Sequence, residues 1–186
     1  MTAIERRAFV QGAGLGALAF TIGGAEVMLT PRQAHARRVP LRTLTVEEGA
    51  ALEAIGETLV PGARDAGITN FVDQQISIAP EDALLQARIL NVRPPFANFY
   101  RGALGAVDGA SMKAKGRKFA ALSPEEQHVL VDLMRVNKID VWQGPPAPFV
   151  FTVLRSDAVD VVYATMEGYA ALGIPYMPHI APSRKW

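Results

Sequence analysis

The amino-acid sequence predicts an all-α protein, an irregular single-domain bundle of roughly six or seven helices with an extended, proline-rich C-terminal arm. Three observations lead to this fold class. Two segments begin with the side-chain pattern of a helix N-terminus, and a long apolar stripe recurs at helical spacing. No two segments alternate apolar and polar residues as paired strands do, and no internal repeat divides the 186 residues.

The first 36 residues have the organisation of an export signal. Two arginines near the start precede an uncharged run over residues 12–24, and a small-x-small sequence then provides a cleavage site. The arginine pair, followed after one residue by phenylalanine, resembles the twin-arginine (Tat) signal. We therefore expect a Tat-type signal peptide over residues 1–36, cleaved after Ala36, and a mature helical domain over residues 37–186. The residues that carry this interpretation are Arg6, Arg7, Phe9, Ala34 and Ala36.

Two other interpretations of this segment lead to different proteins. Residues 12–17 fit G-x-G-x-x-A, the turn of a dinucleotide-binding domain, but no buried strand precedes them and no suitable acid follows. Their context therefore disfavours that interpretation. Residues 8–25 are uncharged over eighteen positions, which is barely enough to span a bilayer as an uncleaved anchor. The anchor stays open as an alternative.

The first half of the domain is predicted to hold three helices. Thr45 and Glu48 have the spacing of a capping box, and Pro61-Gly62 ends the helix that they begin. A loop over residues 67–70 leads to a short second helix. A third helix is predicted to start at Pro80 and to end before Pro94-Pro95. The residues predicted to face inward from these helices are Leu52, Ile55, Leu59, Phe71, Val72, Ile76, Leu84, Leu85 and Ile89.

The longest predicted helix carries an apolar stripe formed by Phe96, Phe99, Tyr100, Ala103, Val107 and Ala110. Beside the stripe lie Gly102, Gly105 and Gly109, each of which costs about 1 kcal/mol relative to alanine in a helix interior. This repeated cost indicates that another helix approaches closely. Packing within the domain is the favoured explanation, and contact with a partner is the alternative.

The last third of the chain is predicted to hold two more helices. A second capping box over residues 123–126 opens the first of them. Residues 144–148 are predicted to form a loop, and residues 149–154 are ambiguous between strand and helix. A final helix is predicted to start at Ser156-Asp157 and to end at Gly173. The residues predicted to be buried in the first helix are Leu130, Leu133, Met134 and Ile139.

Residues 174–186 are predicted to form an extended arm, because three prolines exclude a regular helix. The large apolar side chains of the arm are costly to leave in water. The arm therefore packs back on the domain or lies along another subunit, and its residue types slightly favour the second arrangement. The predicted partner-interface residues are Gly102, Gly105, Gly109, Tyr169, Tyr176, Met177, His179 and Trp186.

Composition excludes several functional classes. The net charge is +1, which argues against binding to nucleic acid or to anionic lipid. The absence of cysteine excludes a disulfide framework, an iron–sulfur cluster and a Cys-x-x-Cys-His haem attachment in this chain. Only His128 and His179 lie beyond the signal, and neither belongs to a recognisable metal or nucleophile motif. No catalytic, cofactor-binding or metal-binding residue is therefore predicted.

Several segments, taken in order, resemble the small, third subunit of gluconate 2-dehydrogenase and its relatives in membrane-bound sorbitol, fructose and glucose dehydrogenases. The Tat-like start comes first. The other segments that carry the resemblance are residues 52–73, 116–127, 167–169 and 173–176, with the terminal Trp186. These segments cover most of the domain, and they are structural landmarks rather than catalytic motifs.

The resemblance implies a component of an oxidoreductase that is not catalytic by itself. In this family the large subunit holds FAD and resembles the glucose–methanol–choline oxidoreductases, and a multihaem cytochrome c subunit passes electrons to the quinone pool. The small subunit binds no cofactor and is needed for the maturation, stability and export of the large one. The expected partners in the periplasm are therefore the FAD-binding large subunit and a cytochrome c subunit, with the Tat translocase during export.

Two alternatives come from other classes of function. A stand-alone periplasmic enzyme would use His128 or His179 with nearby carboxylates. A membrane-tethered periplasmic binding protein would keep an uncleaved N-terminus. Activity of the purified chain distinguishes the first alternative from a subunit, and the mass of the mature protein distinguishes the second.

Overall fold

The fold is given by a computed structural model that describes residues 16–175. Within that range 61% of the residues are helical, and the nine α-helices include five of seven residues or more. One two-stranded hairpin accompanies them. The predicted all-α class is confirmed. Sequence predictions that lie outside the described residues concern Arg6, Arg7, Phe9, Tyr176, Met177, His179 and Trp186.

The elements follow one another along the described chain. The hairpin comprises β1 (Leu18–Ile22) and β2 (Ala25–Leu29). The helices are α1 (Pro31–Ala36), α2 (Val46–Leu59), α3 (Ala63–Ala66), α4 (Ile68–Ile76), α5 (Gln86–Ile89), α6 (Phe96–Lys115), α7 (Pro124–Arg135), α8 (Ala147–Tyr163) and α9 (Met166–Ala171). Short 3-10 helices occur at Pro80–Asp82 and Phe119–Ala121.

Helix α2 lies at the centre of the bundle, where it packs against α4, α6, α7 and α8. Leu52 and Ile55 of α2 are buried, as predicted. The predicted apolar stripe on α6 is buried along its full length. Met134 of α7 and Leu154 of α8 belong to the same core cluster. Because a helix buries only one stripe of side chains, the opposite faces of α6 and α7 are left to solvent or to a partner.

Both predicted capping boxes are present. At α2, Glu48 N donates to Thr45 Oγ1 at 3.1 Å and Thr45 N donates to Glu48 Oε2 at 2.8 Å. At α7, the corresponding distances between Ser123 and Glu126 are 3.3 Å and 3.0 Å. Each box satisfies N–H groups that have no partner within the helix. The sequence therefore predicted the starts of these two helices correctly.

The helix predicted from Pro80 is wrong, because the chain forms a 3-10 turn and then the short α5 instead. Leu84 N donates to Gln75 Oε1 at 2.6 Å, which holds the residues between the turn and α5 extended. Of the three leucine and isoleucine residues predicted to face inward there, only Leu85 is buried. Leu84 and Ile89 are exposed by 58% and 63%.

Helix α8 also differs from the prediction. It starts at Ala147, so the ambiguous residues 149–154 are helical and Asp157 lies in the middle of the helix rather than at its start. The helix ends at Tyr163, and Thr165 caps the separate helix α9 by accepting a hydrogen bond from Gly168 N at 3.0 Å. One predicted helix is therefore two helices, with the break at residues 164–165.

The predicted signal contains regular structure from residue 18 onward. β1 and β2 pair antiparallel, with Ile22 opposite Ala25. The turn between them is Gly23-Gly24, with φ of +58° and +84°. Positive φ at both turn positions is what a type I′ hairpin requires. The hairpin differs from the expectation of no sheet, and the glycine pair is the feature of the sequence that indicates it.

Helix α1 follows the hairpin directly. Thr30 and Gln33 form a third capping box at its start. Helix α1 ends at Ala36, the residue after which cleavage is predicted, and Ala34 is fully buried. Cleavage after Ala36 stays a prediction. Within residues 16–175 no helix has both the length and the apolar composition that crossing a membrane requires.

Candidate functional site

Among residues 16–175, no three histidine or acidic side chains come together, so this part of the chain forms no metal site. His128 is exposed, and its Nδ1 lies 2.6 Å from Pro124 O in the first turn of α7. His35 Nδ1 lies 3.6 Å from Glu53 Oε1 at the surface. Each described histidine therefore has a local structural contact.

Asp157 has the most altered environment among the described acids. It is fully buried in α8, where its Oδ2 accepts a hydrogen bond from Tyr100 Oη at 2.6 Å and its Oδ1 accepts one from Gln86 N at 2.9 Å. Burial raises the pKa of Asp157 to about 7, although both hydrogen bonds favour the charged form. Burial and the neighbouring Asp157 raise the pKa of Tyr100 well above its ordinary value.

The Tyr100–Asp157 pair is a structural connection rather than a reactive site. Both side chains are completely inaccessible, so no substrate reaches them. The pair instead joins α6 and α8 to the first residue of α5. The sequence analysis did not indicate this role, because it predicted Asp157 to lie at the start of a helix.

An open apolar groove of about 460 Å³ lies where the start of β1 meets the end of α8. Among the described lining residues, Asp160 is the one acid, and partial burial raises its pKa. The other lining residues include Leu18, Pro31, Phe71, Leu84, Val161 and Ala164. Its described lining residues include no set of converging polar groups that would orient a reacting molecule.

The glycines of α6 divide into two kinds. Gly102 lies beneath the loop before α8, and a Cβ added there would be 3.6 Å from Pro145 Cδ. That loop is fixed by Trp142, whose Nε1 donates to Pro145 O at 2.6 Å. Gly102 therefore contacts a loop of its own domain rather than another helix, and 3.6 Å is an ordinary van der Waals distance that leaves room for a methyl group.

Gly105 and Gly109 are exposed, and a Cβ added at either would meet no described atom within 4 Å. Within residues 16–175, no packing contact accounts for these two glycines. Met112, 48% exposed, continues the same face of α6 by helical spacing. We call these three residues the glycine strip. Its three residues carry no charge and lie on the exposed side of α6.

Of the predicted interface residues, the structure describes Gly102, Gly105, Gly109 and Tyr169. Tyr169 is half-buried on α9, which packs against α8, whereas the three glycines lie on α6. The structure therefore places Tyr169 and the glycines on different helices. Leu172 and Ile174, which follow α9, are about half exposed and lead into the predicted arm.

The sequence of the helical domain matches a family model. Residues 46–179 match the family model described as gluconate 2-dehydrogenase subunit 3, and the match begins at the first residue of α2. No curated protein and no solved structure matches the chain significantly. Because the family model spans well over half of the sequence, the chain belongs to the gluconate 2-dehydrogenase subunit 3 family.

Proposed function

We propose that this chain is the non-catalytic small subunit of a periplasmic FAD-dependent dehydrogenase complex that oxidises a sugar, a polyol or gluconate. The observation that carries the proposal is the family match over residues 46–179. In the proposed complex, FAD in the large subunit takes electrons from the substrate, and haem c in a cytochrome subunit passes them on. This chain acts in the maturation, stability and export of the large subunit.

The route of export explains why a chain without a cofactor would carry a Tat signal. Tat carries folded proteins, and FAD joins the large subunit in the cytoplasm. A large subunit that has no signal of its own crosses the membrane only while it is bound to a chain that has one. Arg6, Arg7 and Phe9 supply this signal, and the helical domain holds the large subunit.

The glycine strip is the part of the described surface that we assign to contact with the large subunit. Gly105 and Gly109 make the isolated helix less stable than alanine would, and no described residue packs against them. A surface without side chains allows another backbone to approach closely. Exposed Met112 adds an adaptable apolar contact at its end. Tyr169, Tyr176, Met177, His179 and Trp186 extend the proposed interface.

Gentle affinity purification of the tagged chain from its native periplasm or membrane, followed by an absorption spectrum, tests this proposal. We expect a larger polypeptide with flavin absorption to co-purify, with or without haem bands. An untagged strain taken through the same steps controls for non-specific retention. A colourless preparation that contains this chain alone would contradict the proposal.

A further inference from the structure

We propose that residues 18–36, here called the N-terminal cover, are a permanent part of the folded domain, so that a chain that has folded keeps them. The cover comprises the hairpin and α1, and it packs on α3 and α4. This inference goes beyond the proposed function, because it concerns the fold of this chain and requires no partner. It also opposes the predicted cleavage after Ala36.

The closest contact of the cover is between Pro31 and Gly67. Gly67 joins α3 to α4 with φ of +84°, and a Cβ added there would lie 2.2 Å from Pro31 O and 2.5 Å from Pro31 C. No side chain fits between the two backbones. The first turn of α1 therefore rests directly on the junction of α3 and α4, and a glycine at this junction is what permits it.

The cover also shares a hydrophobic cluster with the chain that follows it. Phe20, Leu29, Ala34 and Val39 are all at most 7% exposed and form a core of their own. Val39 lies beyond the predicted cleavage point, whereas the other three residues lie before it. Cleavage after Ala36 would divide this cluster between two fragments and expose apolar surface on both.

Polar side chains of α4 form hydrogen bonds with the cover and with the chain that follows it. Gln74 Nε2 donates to Ala19 O at 3.4 Å in β1, and Asn70 Nδ2 donates to Val39 O at 3.3 Å. Asp73 accepts hydrogen bonds from the N–H groups of residues 42–44, at distances between 2.7 Å and 2.9 Å. All three side chains of α4 are buried. Helix α4 thus binds the chain on both sides of the predicted cleavage site.

The scissile bond lies between exposed Ala36 and Arg37, but the residues before it are held in helix α1. Ala34 is inaccessible, and the carbonyl groups on either side of it are engaged. Arg37 N donates to Gln33 O at 3.0 Å, and Val39 N donates to Ala34 O at 3.0 Å. A peptidase acts on exposed, locally unfolded chain, so cleavage after Ala36 requires α1 to open. A chain that folds before export presents this site in helical form.

Amide hydrogen exchange on the purified full chain tests whether the cover is docked. We expect the hydrogen-bonded amides of residues 18–36 to be protected, as those of α2 and α6 are. Gly67→Ala places a methyl group against Pro31, and undocking of the cover relieves this clash. Exchange over residues 18–36 should then become about tenfold faster or more, while α2 and α6 stay protected.

Gly62→Ala is the matched control. Its φ is +91°, so alanine is strained there too, but a Cβ added at Gly62 meets nothing within 4 Å. Exchange in the cover should change less than about threefold in this control. If Gly67→Ala fails to fold, Phe20→Ala with Thr21→Ala as its control takes its place, because Phe20 is buried and Thr21 is exposed.

Two results would overturn the inference. The first is exchange over residues 18–36 at unfolded-chain rates in the unchanged protein. The second is an exported chain whose intact mass places its first residue at Arg37. A full-length exported chain with a protected cover would support it. The absorption spectrum of a co-purifying partner reports on the proposed function separately, so failure of one proposal is distinguishable from failure of the other.

Discussion

Asp157 couples the stability of the fold to pH. Its carboxyl has an ordinary pKa of 3.8 and a pKa of about 7 in the folded chain, because burial penalises the charged form. The folded state therefore keeps a proton that the unfolded chain releases above pH 3.8. The contribution of this group to stability is fully present below pH 3.8 and is lost as the pH rises through about 7.

Asp157→Asn should remove this pH dependence. Between pH 5 and 7 the carboxyl lowers the free energy of unfolding by up to about 1.4 kcal/mol per pH unit as the pH rises, and an uncharged amide has no such term. Urea denaturation of both proteins at several pH values measures the slope. Glu81→Gln, at an exposed acid, serves as the control. An Asp157→Asn slope equal to that of the unchanged protein would contradict the assignment.

At the scale of the element, two glycines of α6 should respond to substitution by alanine in opposite directions. Gly105 lies in the helix interior with open space around it, whereas Gly116 ends the helix with φ of +67°. Gly105→Ala should stabilise the isolated chain by about 1 kcal/mol, because alanine loses less backbone entropy in a helix. Gly116→Ala should destabilise it by a similar amount, because alanine is strained at positive φ. Thermal denaturation of the two variants should show shifts of opposite sign.

The sequence predicted those elements whose signals are local. The capping boxes at Thr45 and Ser123 and the stripe on α6 depend on residues a few positions apart, and all three are confirmed. The predictions that failed concern residues whose contacts lie far away in the sequence. Gln86 N donates to Asp157, which lies 71 positions further along the chain. No reading of residues 80–90 alone reveals that this carboxylate meets the start of α5.

The candidate site was predictable only in part. The spacing of Gly105 and Gly109 marked them as unusual, but the sequence does not say which glycines the domain itself covers. Gly102 is covered because Pro145 folds back over it, 43 positions away along the chain. The hairpin was missed for a different reason: the uncharged run of a signal and a short apolar hairpin share one composition.

At the scale of the whole molecule, the glycine strip should control association with the large subunit. Gly109→Leu places a bulky side chain on the strip without disturbing the core, since nothing lies within 4 Å. We expect the amount of co-purifying flavoprotein to fall about tenfold or more. Ala114→Leu, also exposed on α6 but on another face, is the matched control. Equal recovery of flavin with both variants would exclude the strip from the interface.

Export should depend on the arginine pair. Replacing Arg6 and Arg7 together by lysine keeps the charge but removes the Tat pattern, so both this chain and its flavoprotein partner should stay in the cytoplasm. Cell fractionation followed by immunoblotting of both proteins measures this. Replacement of Arg37 and Arg38 by lysine controls for a general loss of arginine. Normal export of the partner beside the doubly substituted chain would refute the escort role.

The loop over Gly102 contains Trp142, whose fluorescence can report on this surface of the bundle. The chain has two tryptophans, Trp142 in this loop and Trp186 in the proposed interface. Trp142 is half-buried, with its indole nitrogen bonded to Pro145 O at 2.6 Å, and Pro145 covers the glycine one helical turn from the strip. We expect a protein that settles on the strip to change the hydration of this indole. The emission wavelength of an unlabelled chain therefore follows complex formation in real time, without a dye and without flavin absorption.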